Sequence, residues 1–142
     1  MESSRNLIWL NSRVSHIWQN HFADIPQITP VQVRWGQRSY RRLGSIVMKP
    51  QTDGRMISFI TISSLLREPE VPSLIIDQII AHEIVHYVHG FGSERPRDLK
   101  HPHQGGVIVK EFQKRGLWEL YRYYKSWMNL SWRFFLESKN LN

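Results

Sequence analysis

One run of residues constrains the fold of this chain more than any other. Val71-Pro72-Ser73-Leu74-Ile75-Ile76-Asp77-Gln78-Ile79-Ile80-Ala81 leads into His82-Glu83-Ile84-Val85-His86, and Gly90 and Gly92 follow shortly after. Pro72 and Ser73 are helix-start residues, and the glycines are a stop signal. Leu74, Ile75, Gln78, Ile79, His82 and His86 recur at helical spacing, while Ile76, Ile80, Ile84, Val85 and Val88 make most of the other faces apolar. A helix apolar nearly all round is a buried one, so the rest of the chain must wrap around it. Two histidines and a glutamate inside such a helix are costly unless they have partners.

Their spacing says which partner suits them. Residues four apart on a helix lie on one face, one turn above the other, so the His82 and His86 imidazoles can reach a single metal ion. Glu83 stands beside the first of them and can reach a water on that metal. Two neutral nitrogen ligands and a general base are what a zinc hydrolase needs. The bland alternative is a pair of hydrogen-bonded core histidines with Glu83 salt-bridged to an arginine. A catalytic zinc also wants a third protein ligand and one open position. His89 is about 10 Å of helix rise from His82, out of reach of a shared metal, and suits the helix end near the C-terminal dipole. His101, His103 and Glu111 remain. Glu111 has the mid-helix position of a glutamate-ligand site, or it is a solvated carboxylate paired with Lys110 or Lys114.

The remaining chain reads as an α+β layout. Leu7, Leu10, Val14, Ile17, Trp18 and Phe22 predict an amphipathic helix over about 6–22. Three strand-like runs follow at 31–35, 43–48 and 56–62, the last two joined by a Gln51-Thr52-Asp53-Gly54 hairpin turn. After the motif helix come a loop over 90–102, a helix from about His103 to Lys114, and one long aromatic helix from Leu117 to about Ser138. The sheet is expected to pack on the motif helix, and its edge strand could accept a peptide by strand addition. At 142 residues the chain is expected to be one domain with a real core. It has no cysteine, which excludes disulfides and zinc ribbons and fits a reducing compartment. Neither a signal-peptide pattern nor a membrane-length apolar run is seen, so a cytoplasmic place is expected, or a nucleoid or nuclear one if the protein works on DNA.

The motif helix and its surroundings resemble the SprT-like, or Spartan-type, family of zincin metallopeptidases. Trp35 and Arg41-Arg42-Leu43-Gly44-Ser45 are similar to the family's tryptophan and arginine-leucine-glycine strand region. Met56-Ile57-Ser58 is similar to its next strand, Ile79 to His86 to its metal helix, and Pro102-His103 with Gly116 to its third-ligand segment. The match covers roughly residues 7–116. It implies a zincin-like fold, one zinc ion held by His82, His86 and His103, Glu83 as the base, and a protein substrate, DNA-associated protein included. The family often carries a C-terminal cysteine zinc ribbon. This chain instead ends in Trp118, Tyr121, Tyr123, Tyr124, Trp127, Trp132, Phe134 and Phe135, about which the resemblance is silent.

Charge adds a second partner class. The net charge is +7, and Arg34, Arg38, Arg41, Arg42 and Lys49 lie in a stretch without acids. Such a surface favours polyanions, and single-stranded DNA is the form expected, with the four arginines as contacts. The aromatic C-terminal helix could stack bases, but its near-helical spacing favours packing on the core. The alternative to a peptidase is a non-catalytic zinc-containing module that binds nucleic acid. Retention of Glu83 counts against it, because structural zinc needs no base.

Overall fold

The computed structural model describes residues 4–141, which form an α+β arrangement of five α-helices and a three-stranded mixed sheet. Helix α1 (Leu7–His21) starts at Asn6, whose side chain accepts the Trp9 amide at 2.9 Å. It buries Leu10, Val14, Ile17 and Trp18, the stripe that the spacing predicts. Strands β1 (Val31–Gly36), β2 (Gly44–Pro50) and β3 (Met56–Ser63) follow in the predicted places. Their order is β1-β3-β2, with β1 parallel and β2 antiparallel to β3. The β-branched and aromatic run of β3 takes the centre, where Ile60 and Ile62 are fully buried. The two edges are therefore β1 and β2. The turn between β2 and β3 closes through the Gly54 amide, which donates to the Gln51 carbonyl at 2.9 Å.

A short 3-10 turn (Ser64–Arg67) leads to helix α2 (Ser73–Val88), with Pro72 at its N-cap. Twelve of its sixteen residues are buried, so this helix is the axis of the core. Two polar contacts fix how it is turned. Arg13 of α1 forms a bidentate ion pair with Asp77, Nε to Oδ1 at 2.8 Å and Nη2 to Oδ2 at 2.6 Å. The Tyr87 hydroxyl donates to the Thr29 carbonyl at 2.6 Å and accepts the Thr29 amide at 3.1 Å. Asp77 and His86 are about 2.5 turns apart, so the clamp on Asp77 holds the side opposite His86.

Helices α3 (Val107–Lys114), α4 (Trp118–Leu130) and α5 (Trp132–Ser138) complete the chain and differ from expectation in three ways. The helix predicted from His103 begins only at Val107. Gly105 (φ 60°) and Gly106 (φ 69°) are left-handed and cannot continue a right-handed helix, so residues 104–106 form a single 3-10 turn. The long helix predicted over 117–138 is broken at Ser131 (φ −127°, ψ −25°). In an unbroken helix Trp127 and Trp132 would be about 140° apart around the axis. The break brings their rings to 5.9 Å and sets Phe135 at 5.4 Å from Trp132, which buries Phe135 and Leu136. Finally, α4 covers the core only in part: none of its residues is buried outright, Tyr121, Tyr124 and Trp127 are half-buried and pack against the core, and Trp118 and Tyr123 are exposed. Lys139, just beyond α5, pairs with Glu70 at 3.0 Å and Glu68 at 3.5 Å, tying the C-terminal end to the entry of α2. Among the described residues no helix is long and apolar enough to cross a membrane.

The clamp predicts an asymmetric pair of mutants. Arg13→Ala strands a carboxylate that is only 2% exposed and should cost about 3–5 kcal/mol. Asp77→Ala leaves a guanidinium that is 26% exposed and can turn to water, and should cost about 1.5–3 kcal/mol. Urea unfolding of the two variants checks the order.

Candidate metal centre

Helix α2 presents His82 and His86 one turn apart, and the loop before α3 brings His103 over them. The His82 and His86 Nε2 atoms are 3.0 Å apart, and the His82 and His103 Nε2 atoms 3.3 Å. One ligand atom from each of the three lies within 4.8 Å of the others, so together they could hold a metal ion. Three ring nitrogens facing one another cannot all be satisfied among themselves, since each facing pair shares one proton. A cation between them would accept every lone pair. A tetrahedral centre with nitrogen ligands at about 2.0–2.1 Å sets those nitrogens roughly 3.3 Å apart, close to the two spacings to His82. The three imidazoles could therefore hold a metal ion.

Burial tunes these groups for ligation. It pushes the His82 imidazole down to about 4, with His103 adding to the shift. It pushes His86 down to about 3, with His82, His103 and His89 adding. Both rings are thus neutral near pH 7, the form that ligates a metal. The His86 Nδ1 is buried with no partner among the described residues. Packing against Phe91, at 6.4 Å between ring centres, steadies that ring where a hydrogen bond usually does.

The other third-ligand candidates point elsewhere. His101 is exposed, and its backbone amide donates to the Gln104 side chain at 2.8 Å. Glu111 pairs with Arg115 at 2.8 Å and His89 at 3.5 Å, not with Lys110 or Lys114 as expected. The reason is Arg115, whose side chain is only 6% exposed and which also binds Asp24 at 2.7 Å. A guanidinium so buried takes the nearest carboxylates. His89 caps the end of α2, as its position suggests.

Glu83 is buried, yet it lines a cleft of about 630 Å³ together with His82. Burial raises its carboxyl to about 7, against the pull of the Arg42 cation. Gly44 lets strand β2 come this close to α2. A Cβ there would meet Ile79 Cγ2 at 2.5 Å and Glu83 Oε1 at 3.3 Å. The edge strand β2 thus runs beside the candidate base.

Of the four arginines expected to contact nucleic acid, Arg34 and Arg42 line one hollow beside the sheet, and Arg42 continues to Arg41 in the cleft. Arg38 is paired with Glu68 at 3.0 Å. Arg34 donates to Thr61 Oγ1 at 3.0 Å and lies over the Phe59 ring. Arg41 lies over Tyr40, and Arg41 and Arg42 line the cleft beside Glu83. Sequence reasoning did not pick out Gln78, which is 2% exposed, lines the same cleft and has an Oε1 without a partner. Its position one turn before His82, polar within an apolar run, was the available signal. The cleft wall formed by Tyr121, Tyr124, Met128 and Trp132 follows helical spacing, but that spacing alone does not tell a face that borders a cleft from one that covers the core.

No family model, curated protein or solved structure matches this chain. The site must be judged on its own geometry.

That geometry predicts a ligand ranking. His82→Ala, His86→Ala and His103→Ala should each sharply weaken zinc binding. His101→Ala and Glu111→Ala should leave it close to the parent. Titration with a competing chelator measures all five, and a dominant loss in Glu111→Ala would replace His103 as the third ligand.

Proposed function

We propose that this chain is a zinc-dependent metallopeptidase with a zincin-like fold. The observation that carries the reading is the convergence of the His82, His86 and His103 Nε2 atoms, with His82 and the buried Glu83 together lining a cleft beside them. The sequence resemblance to SprT-like zincins supports the same assignment of roles. A zinc ion bound here would supply Lewis acidity, lowering the pKa of water toward neutrality and polarising a carbonyl. Glu83 takes a proton from the attacking water on a carboxylate oxygen and passes it to the leaving amine. Its raised affinity for a proton suits it to both transfers near neutral pH. Strand β2, an edge strand held against α2 through Gly44, offers backbone groups for an extended peptide lying across the cleft.

Glu83→Gln should abolish hydrolysis of a protein substrate while zinc content stays at the parent level, because Glu83 is not a ligand. His82→Ala should lose both. Elemental analysis beside a cleavage assay separates the two effects, and a Glu83→Gln variant that cuts at the parent rate sinks the mechanism.

The second reading, a non-catalytic zinc-containing module that binds nucleic acid, is favoured by one observation: Arg41 and Arg42 stand in the cleft without a carboxylate partner. It predicts binding of single-stranded DNA that falls steeply with salt, since phosphate contacts release counterions. Arg41→Gln and Arg42→Gln should weaken that binding more than Arg38→Gln, whose side chain is already paired with Glu68. Titration of a labelled strand at two salt concentrations tests this, and absence of binding at low salt removes nucleic acid.

A further inference from the structure

The cleft beside Glu83 has a wall that belongs to neither the sheet nor the motif helix. Tyr121, Tyr124 and Met128 of α4 and Trp132 of α5 face Ile79 and Gln78 of α2 across it. These four residues lie in the segment that the break at Ser131 shapes. They give the space a mainly apolar lining, large enough for a bulky side chain. Three cations stand around it: Arg41, Arg42 and Lys125. None of them forms an ion pair with a carboxylate in the structure, and Glu83 is the one acid that lines the cleft. The Gln78 carbonyl lies at the cleft with no donor, although the group is almost completely buried. An unpaired amide in a helix otherwise filled by Ile, Val and Ala is a local packing fault of the kind that functional sites carry.

We propose that this space is the specificity pocket of the peptidase, and that it takes a large apolar or aromatic side chain from an acidic segment of a protein substrate. The proposal rests on the peptidase reading and names its substrate class. The apolar side chain enters between Ile79 and the α4–α5 wall. Acidic neighbours in the substrate meet Arg41, Arg42 and Lys125, three cations that outnumber Glu83, the acid lining the cleft. A basic substrate segment is disfavoured by the same three cations. Because the wall comes from the C-terminal helices, selectivity is set there and the chemistry is set on α2.

The test uses the full chain loaded with zinc and three synthetic peptides of one length. One has a central Phe flanked by Asp and Glu, the second replaces Phe with Ala, and the third replaces the acids with Lys. Cleavage of the first should exceed that of either other peptide by about tenfold in kcat/KM. Lys125→Glu, at an exposed position, should shrink the preference for acids, and Met128→Trp, which fills the pocket, should remove the preference for Phe. In parallel, the same peptides are titrated into the Glu83→Gln protein while the Trp132 indole N–H and Met128 methyl signals are followed by NMR. Cleavage that ignores both the central residue and Lys125→Glu overturns the pocket and leaves the peptidase standing. Binding of the Phe peptide at Trp132 and Met128, without cleavage by the parent, upholds the pocket and sinks the peptidase reading. A thymidine oligonucleotide that shifts these two signals when no peptide does overturns the proposal in favour of nucleic acid. Neither binding nor cleavage of any peptide overturns the pocket and the peptidase together.

Discussion

Everything at the candidate site depends on how α2 is turned about its own axis. A helix that is apolar nearly all round has little reason of its own to prefer one rotation, because each face can pack against something. Asp77 breaks that near-symmetry. Its carboxylate is buried, so it must meet a cation, and Arg13 on α1 is placed to grip both oxygens. Tyr87 adds a second anchor through Thr29. With the Asp77 side held against α1, the His82 and His86 side is left facing the loop that carries His103. The ion pair is thus a device for orientation more than for stability, since a buried pair seldom gains much over apolar packing.

The same helix explains why the histidines and Glu83 respond so differently to burial. Burial disfavours the charged form in every case, which leaves the imidazoles neutral and the carboxyl proton-hungry. Neutral imidazoles are the ligating form, and a carboxylate near neutrality is a serviceable proton carrier. One environment therefore gives both the neutral imidazoles and the raised carboxyl that the proposed hydrolysis calls for, without a special device for either. Arg42 is the moderating influence, a cation near enough to restrain the rise at Glu83.

What the residues disclosed in advance follows from how local the signals were. The motif helix, its start at Pro72 and Ser73, the three strands and the hairpin turn are written in short-range patterns of spacing and turn residues, and the structure has them in place. The convergence of His82, His86 and His103 was half local: the first two come from helical spacing, while the third came from resemblance. The parts that differ are of two kinds. Glu111 pairs with Arg115 at i,i+4, a spacing as local as that to Lys114, and what the sequence does not show is that Arg115 is buried beside Asp24 and so prevails. The glycines at 105 and 106 were read as a helix start, although two consecutive left-handed residues delay one. The break at Ser131 has no proline or glycine to announce it and is set by packing among Trp127, Trp132 and Phe135.

That last break matters beyond secondary structure. A straight helix over 117–138 would carry Trp132 away from the face that Trp127 occupies. Trp132 shares the face of Tyr121 and Met128 in either case and stands in the cleft wall with them; the bend adds its contact with Trp127, and the Lys139 pairs with Glu68 and Glu70 hold the end of the segment near the entry to α2. Tyr121 and Tyr124 of α4 are half-buried, with one side on the core and the other lining the cleft that Glu83 also lines. A helix whose task was only to seal the core would be expected to bury at least one of them completely, as α5 does with Phe135 and Leu136. The partial exposure of α4 is therefore better explained by the cleft it borders than by the core it covers.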